Sequence, residues 1–289
     1  MITSDPQLRA RMLLEALPYI RRFHGAVIVI KYGGNVLSDA DRSLTELAED
    51  VALIRSVGMR PVVVHGGGPQ IDELADRLAL RPAFIDGLRV TDAEMLAVVR
   101  MALLGTVNPA IVTALGSQGA PAVGLSGMDG SLAVASRVSP ELGYVGAVST
   151  VNPQVLTDLL ATSAIPVVAS LGVDVSGQIL NVNADSFAAA LAVALKATKL
   201  IFLTNVAGLL EHLDDPGSLI AEVDVAHAQR LIESGQIRGG MIPKVTAALG
   251  AALGGVERVH LIDGTVPHSL LLELLTDEGV GTMIVGGTQ

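Results

Sequence analysis

The feature that most constrains the fold of this chain is a repeated alternation between short apolar runs rich in β-branched residues and longer helical segments. Strands that alternate with helices in this way pair mainly in parallel, through right-handed crossovers. Half of the residues are hydrophobic and only 2% are aromatic, which is typical of buried Val-, Ile- and Leu-rich strands covered by helices. The pattern therefore predicts an α/β fold around a mainly parallel sheet.

The predicted elements begin at Ala26, and only residues 125–150 interrupt their alternation, because Gly-rich turns there predict hairpins at a rim. The segment Thr91-Asp92-Ala93-Glu94 has the spacing of a capping box and predicts a helix start. A polar turn at Ser176-Gly177 gives the predicted boundary between two lobes. The predicted strands are 26–30, 61–64, 165–169, 200–203, 259–262 and 282–285; the predicted helices are 40–57, 69–80, 92–104, 106–117, 153–162, 185–197, 225–234, 243–253 and 267–275.

A separate helix is predicted over residues 7–23, ahead of the alternation. Pro6 suits the first helical position, and Pro18 predicts a kink. Two interpretations remain open from the residues alone. The helix packs on its own domain, or it forms an arm that packs on another subunit.

Charge and composition exclude several classes of function. The formal net charge is −10, with no block of like charges, which argues against binding to nucleic acid or to an anionic membrane surface. The chain has no cysteine, which excludes disulfides, thiolate catalysis and cysteine-based metal sites. No uninterrupted apolar run approaches the roughly 18 to 20 residues of a membrane span, and no leader-like segment is present. We therefore expect a soluble cytoplasmic protein.

Two glycine-rich segments directly follow predicted strands, where parallel sheets gather their ligands. Lys31-Tyr32-Gly33-Gly34 combines a point charge with exposed backbone N–H groups, although turn glycines beside an incidental lysine would give the same sequence. His65-Gly66-Gly67-Gly68-Pro69 runs into a helix and has the form of an anion cradle. An esterase oxyanion loop is the rival interpretation, but the Gly-x-Ser-x-Gly elbow that it needs is absent. Neither a Walker A loop nor a dinucleotide fingerprint occurs.

Two other segments bring a cation next to glycine and a helix start. Arg89, in Gly87-Leu88-Arg89-Val90-Thr91, could hold a carboxylate through two parallel hydrogen bonds, or could be a solvated surface residue. Lys244, in Gly239-Gly240-Met241-Ile242-Pro243-Lys244, is predicted in the first turn of a helix. A cation opposes the helix dipole there, which favours a nearby anion.

The segment Asn181-Val182-Asn183-Ala184-Asp185 places two amides and a carboxylate where a β-run gives way to an Ala-rich helix. Asp185 is interpreted either as a plain helix cap or as a charge that positions something cationic.

In their order along the chain, the five segments resemble the amino acid kinase family and, within it, the branch that phosphorylates N-acetylglutamate. The resemblance covers nearly the whole chain, and it implies a three-layer αβα sandwich with an extra kinked N-terminal helix. It also implies an oligomerisation arm over 1–24, an acetylglutamate-binding and dimerisation lobe over 25–178, and an ATP-binding lobe over 179–289. The implied activity is phosphorylation of the side-chain carboxylate of N-acetyl-L-glutamate by ATP, in arginine biosynthesis. Other acceptors in the family, which are carbamate, nucleoside monophosphates, aspartate and glutamate, and a non-catalytic arginine sensor remain as alternatives.

The resemblance also implies roles for individual residues. Lys31 and Lys244 would stabilise the transferring phosphoryl group, and Asp185 would orient both lysines. The residues implied to bind the acceptor are Gly67, Gly68, Arg89 and Asn181. The residues implied to bind the nucleotide are Gly33, Gly34, Asn205, Val206, Gly208, Leu209, Arg238 and Met241. Mg²⁺ would accompany ATP and be held mainly by its phosphates, since no carboxylate cluster offers a metal site of its own.

Two positions depart from the family pattern: Asn205 stands where many relatives have aspartate, and Met128 stands where a lysine is frequent. The resemblance to arginine-inhibited members implies a homo-hexamer built as a trimer of dimers through the N-terminal helix. It also implies L-arginine as an inhibitor, with ordinary packing as the alternative role for the residues concerned. The candidates for that arginine site are Tyr19, His268, Glu278 and Gly281.

Overall fold

The computed structural model describes residues 6–33, 40–212, 215–277 and 279–286. Their main feature is an eight-stranded sheet in the order β12-β14-β13-β11-β1-β2-β8-β5. Neighbouring strands are parallel except for the antiparallel pair β13–β14. These strands are β1 (Val27–Tyr32), β2 (Arg60–His65), β5 (Ala122–Ser126), β8 (Ile165–Ala169), β11 (Lys199–Thr204), β12 (Glu222–Asp224), β13 (Arg258–Asp263) and β14 (Gly281–Val285).

Two smaller sheets lie beside the main one. A two-stranded hairpin consists of β3 (Phe84–Ile85) and β4 (Leu88–Arg89). A closed four-stranded barrel consists of β6 (Ala133–Arg137), β7 (Val145–Val151), β9 (Leu171–Val173) and β10 (Ile179–Val182).

The helices cover both faces of the main sheet, because alternate residues of the central strands enter different cores. Val29 and Val62 join the core beneath α7, α8 and α9, whereas Ile28 and Val63 join the core beneath α2, α5 and α10. The helices are α1 (Pro6–Phe23), α2 (Ala40–Ser56), α3 (Gly68–Arg77), α4 (Ala93–Ala102), α5 (Asn108–Ser117), α6 (Gln154–Ala161), α7 (Ala184–Ala194), α8 (Val225–Glu233), α9 (Met241–Leu253) and α10 (Ser269–Leu275). The predicted αβα sandwich with an N-terminal helix is confirmed.

The segment 125–150 contains both a correct and a wrong prediction. Residues 133–151 do form an antiparallel pair, β6 with β7. However, this pair closes a barrel with β9 and β10, and the preceding strand β5 is an edge strand of the main sheet, parallel to β8. The hairpin interpretation was wrong for Leu125 and Ser126, which are the last two residues of strand β5 and are buried.

The predicted capping box at α4 was right about the helix start but wrong about the cap. The helix begins at Ala93, and its cap is Asp92, whose side chain accepts a hydrogen bond from the Met95 N–H at 2.8 Å. The hydroxyl of Thr91 instead donates to the carbonyl oxygen of Arg89 at 2.8 Å and accepts from the Asn181 amide at 3.1 Å.

The helical run Ala93–Ser117 combines α4, a π-helical turn at Leu103–Val107 and α5. Within the described ranges it is the one helix long and apolar enough to cross a membrane by length and composition. Half of its most apolar window is buried inside the protein, and the same test is passed by core helices of soluble proteins.

Candidate active site

Three charged residues from distant parts of the sequence meet at the carboxyl end of β1. The Nζ of Lys31, on β1, lies 2.8 Å from one carboxylate oxygen of Asp185, and the Nζ of Lys244, in the first turn of α9, lies 3.0 Å from the other. Asp185 does not cap α7, because Asn183 does so by accepting from the N–H groups of Asp185 and Ser186 at 2.9 and 3.1 Å. The carboxylate of Asp185 is therefore available to both lysines.

The electrostatics of this group depend on its burial. Lys31 and Asp185 are only 7% and 8% exposed. Burial opposes ionisation of Asp185, but Lys31 and Lys244 outweigh that effect and hold the pKa of its carboxyl below the ordinary value. Burial, and then the nearby Lys31, lower the pKa of Lys244, while Asp185 opposes that shift. With both lysines charged, the group has one formal positive charge in excess, which a bound anion would neutralise.

A first cavity, of about 200 Å³, opens on one side of this group. All four residues implied to bind the acceptor line this cavity, and so does the glycine run after β2. Its lining includes Lys31, Gly66, Gly67, Gly68, Arg89, Ser170, Asn181 and Asp185.

Arg89 and Asn181 are fixed at this cavity by contacts within the protein. A guanidinium nitrogen of Arg89 lies 2.6 Å from Asp72, and the guanidinium stacks over the ring of Phe84 at 4.7 Å. The Asn181 amide donates to the hydroxyl of Thr91 at 3.1 Å. Arg89 is therefore not a freely solvated side chain, because only 8% of it is exposed.

A second cavity, of about 350 Å³, opens on the other side. Lys31 and Gly68 line both cavities, whereas Lys244 lines only the second and Asp185 only the first. The charged group thus stands where the two cavities meet. Among the residues implied to bind the nucleotide, the second cavity is lined by Gly33, Asn205, Val206, Arg238 and Met241.

Two of the residues implied to bind the nucleotide, Gly208 and Leu209, line neither cavity. Leu209 is buried in the core, where its N–H donates to the hydroxyl of Thr282 at 2.8 Å, and Gly208 is packed against the same threonine. Gly34 and Glu278, like residues 1–5 of the predicted arm, lie outside the described residues.

The remaining candidates for an arginine site surround α10. Tyr19, on α1, donates a hydrogen bond to Asp277 just beyond the C-terminal end of α10. His268 lies at the opposite end, where its Nδ1 is 2.6 Å from a carboxylate oxygen of Asp50. Gly281 opens β14, which pairs with β13. Because α10 has seven residues and rises about 1.5 Å per residue, His268 and Tyr19 are separated by roughly 10 Å along it.

Several residues at the site carry no clear signal in the sequence. Asp72 and Thr91 hold Arg89 and Asn181, and Asn108 contacts the glycine run through His65. The two residues of each pair are 17 to 90 positions apart, so no short motif shows that they pair. Within the described part of the chain, no cluster of three His, Cys, Asp or Glu side chains could hold a metal ion.

The chain is similar to proteins of known activity. A model of the amino acid kinase family matches residues 26–263. The acetylglutamate kinase of Symbiobacterium thermophilum is 50% identical over 286 residues, which are 96% of this chain and 97% of that relative. Among solved structures, N-acetylglutamate synthase from Neisseria gonorrhoeae, complexed with coenzyme A and N-acetyl-glutamate, has a TM-score of 0.86 at 30% identity, over 97% of this chain and 64% of the synthase. The same synthase complexed with coenzyme A and L-arginine has a TM-score of 0.83 at 27% identity, over 96% of this chain and 66% of the synthase. This chain therefore spans less than two thirds of the synthase.

Proposed function

The chain belongs to the amino acid kinase family, and from this membership we propose that it phosphorylates the side-chain carboxylate of N-acetyl-L-glutamate with ATP, as a step of arginine biosynthesis. The observation that carries the proposal is the group formed by Lys31, Asp185 and Lys244 at the junction of two cavities. Identity of 50% to an acetylglutamate kinase over nearly the full length of both chains supports this acceptor over others in the family.

The chemistry fits a site without a general base. A glutamate side chain has an ordinary pKa of about 4.3, so at neutral pH the acceptor is already the nucleophilic carboxylate. The barrier arises from bringing one anion to another, and positioning plus cationic stabilisation lowers it. In the proposal, Lys31 and Lys244 stabilise the oxygens of the transferring phosphoryl group. Asp185 contacts both ammonium groups and keeps their separation fixed.

The first cavity is the proposed acceptor site. Arg89 would hold the α-carboxylate, and Asn181 would hold neighbouring polar groups. Gly67 and Gly68 would offer backbone N–H donors toward the reacting centre, and Gly68 lines both cavities. The pair between Arg89 and Asp72 is compatible with this role, because a guanidinium has five N–H donors and Asp72 uses only one of them.

The second cavity is the proposed ATP site, with Gly33, Asn205, Val206, Arg238 and Met241 as its contacts. Gly208 and Leu209 would act by fixing the loop beyond β11, since they pack on Thr282. Mg²⁺ would be held by the phosphates of ATP and would neutralise part of their charge. The proposal keeps an acceptor lobe over 25–178 and a nucleotide lobe over 179–289, with Gly33 and Asn181 each reaching the cavity of the other lobe.

An ADP-release assay across acceptors tests the proposal most directly. Purified protein with ATP and Mg²⁺ should turn over N-acetyl-L-glutamate with a kcat/KM at least about 100-fold higher than for carbamate, aspartate, glutamate or a nucleoside monophosphate. A preference of this size corresponds to about 2.7 kcal/mol of transition-state binding. Higher kcat/KM with another acceptor would move the chain to another branch of the family. Tight arginine binding with no turnover would favour the sensor alternative.

We further propose that the chain is a cytoplasmic homo-hexamer inhibited by L-arginine, with α1 linking dimers. Exposed Met12, Leu13 and Leu14 on α1 and the related synthase complexed with L-arginine support this. Deletion of residues 1–24 should keep kcat while light scattering shows dimers and the arginine concentration for half-inhibition rises. A truncated hexamer with unchanged inhibition would remove the arm from regulation.

A further inference from the structure

His65, the last residue of β2, is completely buried between Asn108 and the glycine run that lines the first cavity. Its Nε2 lies 2.9 Å from the amide nitrogen of Asn108, and its Nδ1 lies 2.8 Å from the carbonyl oxygen of Gly66. The roles proposed above do not use either His65 or Asn108.

The hydrogen bonds of Asn108 determine which nitrogen of His65 carries the proton. The Asn108 amide also lies 2.9 Å from the carbonyl oxygen of Val167, which can only accept, so this side of the amide must be the NH₂ group. This nitrogen also lies 3.4 Å from the carbonyl oxygen of Leu125, a longer contact than those to Val167 and His65. An amide nitrogen cannot accept a hydrogen bond, so Nε2 of His65 must be the unprotonated nitrogen. The proton is therefore on Nδ1 and is donated to Gly66.

His65 is neutral in this environment. Burial lowers the pKa of His65 to about 4, although the hydrogen bond to Gly66 acts in the opposite direction. The Nδ1–H tautomer is therefore present throughout the neutral range, and a lone pair is never turned toward the Gly66 carbonyl.

This hydrogen bond determines the direction of a donor at the cavity. In a planar trans peptide the C=O and the following N–H point in opposite directions, so fixing the carbonyl of Gly66 on His65 turns the N–H of Gly67 away from His65. No backbone acceptor within the described residues takes up the Gly67 N–H. Both glycines line the first cavity.

We propose that His65 is a positioning residue that holds the Gly66–Gly67 peptide so that the Gly67 N–H donates to an anionic oxygen in the reaction. Asn108 sets the tautomer that makes this possible. The inference rests on the proposed phosphoryl transfer and deepens it by naming what orients one of its donors.

The residues around His65 and Asn108 are closely packed, which restricts the positions of Asn108 and Gly67. A Cβ at Gly124 would lie 2.0 Å from the side-chain oxygen of Asn108, so any larger residue would displace Asn108. A Cβ at Gly67 would lie 2.7 Å from Leu103 and 3.0 Å from Val107, which both belong to the π-helical turn. A π turn adds a residue and rotates the following helix by about 100°, which changes the face on which Asn108 opens α5.

Two substitutions separate the two hydrogen bonds of His65. In His65→Asn, the shorter amide can donate to Gly66 from nearly the position of Nδ1, but it leaves Asn108 without its acceptor. In His65→Gln, the longer amide can accept from Asn108 near the position of Nε2, but it cannot reach Gly66. Both remove the imidazole, so general loss of packing affects them alike.

Steady-state kinetics should separate the pair. Complete loss of one preorganised donor typically costs about 100- to 1000-fold, so a misdirected one in His65→Gln should lower kcat by about 10- to 100-fold. The KM for ATP should change by less than about twofold, because the second cavity is untouched. His65→Asn should recover at least about tenfold of the lost kcat. Equal losses in both variants, in step with their loss of unfolding free energy, would overturn the proposal.

A second measurement does not depend on turnover. Imidazole ¹⁵N NMR of the full-length wild-type protein should show His65 as the neutral Nδ1–H tautomer from pH 6 to 8. The amide signal of Gly67 should shift in His65→Gln far more than in His65→Asn. The Nε2–H tautomer, or equal Gly67 shifts, would overturn the proposal. If N-acetyl-L-glutamate were not turned over while the NMR result held, the proposed function would fail and the positioning contact would stand.

Discussion

Two buried charge clusters in this molecule have similar members and different surroundings. The Asp185 cluster consists of Lys31, Asp185 and Lys244 and lies between two cavities. The Glu273 cluster consists of Lys199, His260 and Glu273 and lies between α1, α10 and the sheet. In it, Nδ1 of His260 lies 2.6 Å from Glu273, and the ring of Phe23 covers the Lys199 ammonium at 4.7 Å.

The clusters differ in how the protein balances their charge. Burial acts in the same direction in both clusters, because it lowers the pKa of His260, brings that of Lys199 to about 8 and lowers that of Lys244. The second oxygen of Glu273 accepts from the Val280 N–H at 3.1 Å, and the cluster lines neither site cavity. In the Asp185 cluster, one carboxylate faces two lysines, and the three residues together line two cavities. A buried charged group is therefore evidence of a site when its charge balance is incomplete on the side that a ligand can reach.

The largest expected effect comes from Asp185→Asn. Both lysines would lose their counter-ion while remaining buried, which should lower the free energy of unfolding by about 3 kcal/mol. Loss of their fixed positions should lower kcat for acetylglutamate phosphorylation by at least about 100-fold. Chemical denaturation and steady-state kinetics measure the two effects. Added inorganic phosphate should restore part of the stability, because an anion can replace the missing charge.

The matched control for this experiment is Glu273→Gln. It also removes a buried carboxylate from basic partners and should cost about 3 kcal/mol of unfolding free energy. However, kcat should stay within about twofold, and phosphate should give no extra stabilisation. Equal loss of activity in both variants, or stabilisation of both by phosphate, would contradict the comparison. It would mean that a cluster that lines the cavities does not differ from one that lines neither.

The sequence predicted the main features of this architecture but missed parts whose cause lies in distant contacts. Six strands and the helices near them follow from apolar periodicity, because their faces enter two continuous cores. The edge strand β5 was missed since Gly124 weakens its strand pattern, and that glycine is needed to make room for Asn108. The small barrel was missed because β6 and β7 pair with strands from another part of the chain.

The same reasoning explains the outcome for the site. Lys31, Asp185 and Lys244 each lie in a short motif of consecutive residues, so the sequence alone indicates them. The structure brings the three residues together. The pair of His65 and Asn108 spans 43 residues, and the packing of Leu209 on Thr282 spans 73, so no segment pattern contains them. Sequence patterns therefore indicate which residues carry the chemistry, whereas the structure is needed to find the residues that hold them.

A smaller effect is expected from Lys199→Met. Because burial brings the pKa of Lys199 to about 8, the unfolded chain binds this proton more strongly than the folded protein between about pH 8 and 10.5. Wild-type stability should therefore gain about 2 kcal/mol from this lysine between pH 8 and pH 10, and the variant should lack that gain. Urea denaturation at the two pH values measures it, with kcat at pH 8 expected within about twofold of wild type. An identical rise in the variant would mean that Lys199 is not desolvated.

The smallest effect concerns what holds the Asp185 cluster in place. Asn183→Ala removes the cap that accepts from the N–H groups of Asp185 and Ser186, and it should cost about 1 kcal/mol of unfolding free energy. It should also lower kcat by about three- to tenfold, because a loosened first turn of α7 misplaces Asp185 relative to both lysines.

Asp224→Ala is the control for that change, since Asp224 caps α8 by accepting from the His227 N–H at 2.6 Å and lines neither cavity. It should also cost about 1 kcal/mol, but kcat should be unchanged. Equal kcat in the two variants would mean that the lysines alone fix Asp185. Asn183 also lines the first cavity, so the KM for N-acetyl-L-glutamate is measured in the same assay. A loss of kcat confined to Asn183→Ala, with that KM unchanged, would mean that the helix start holds the carboxylate in position, and that the incomplete charge of the cluster is maintained by the backbone as well as by its ion pairs.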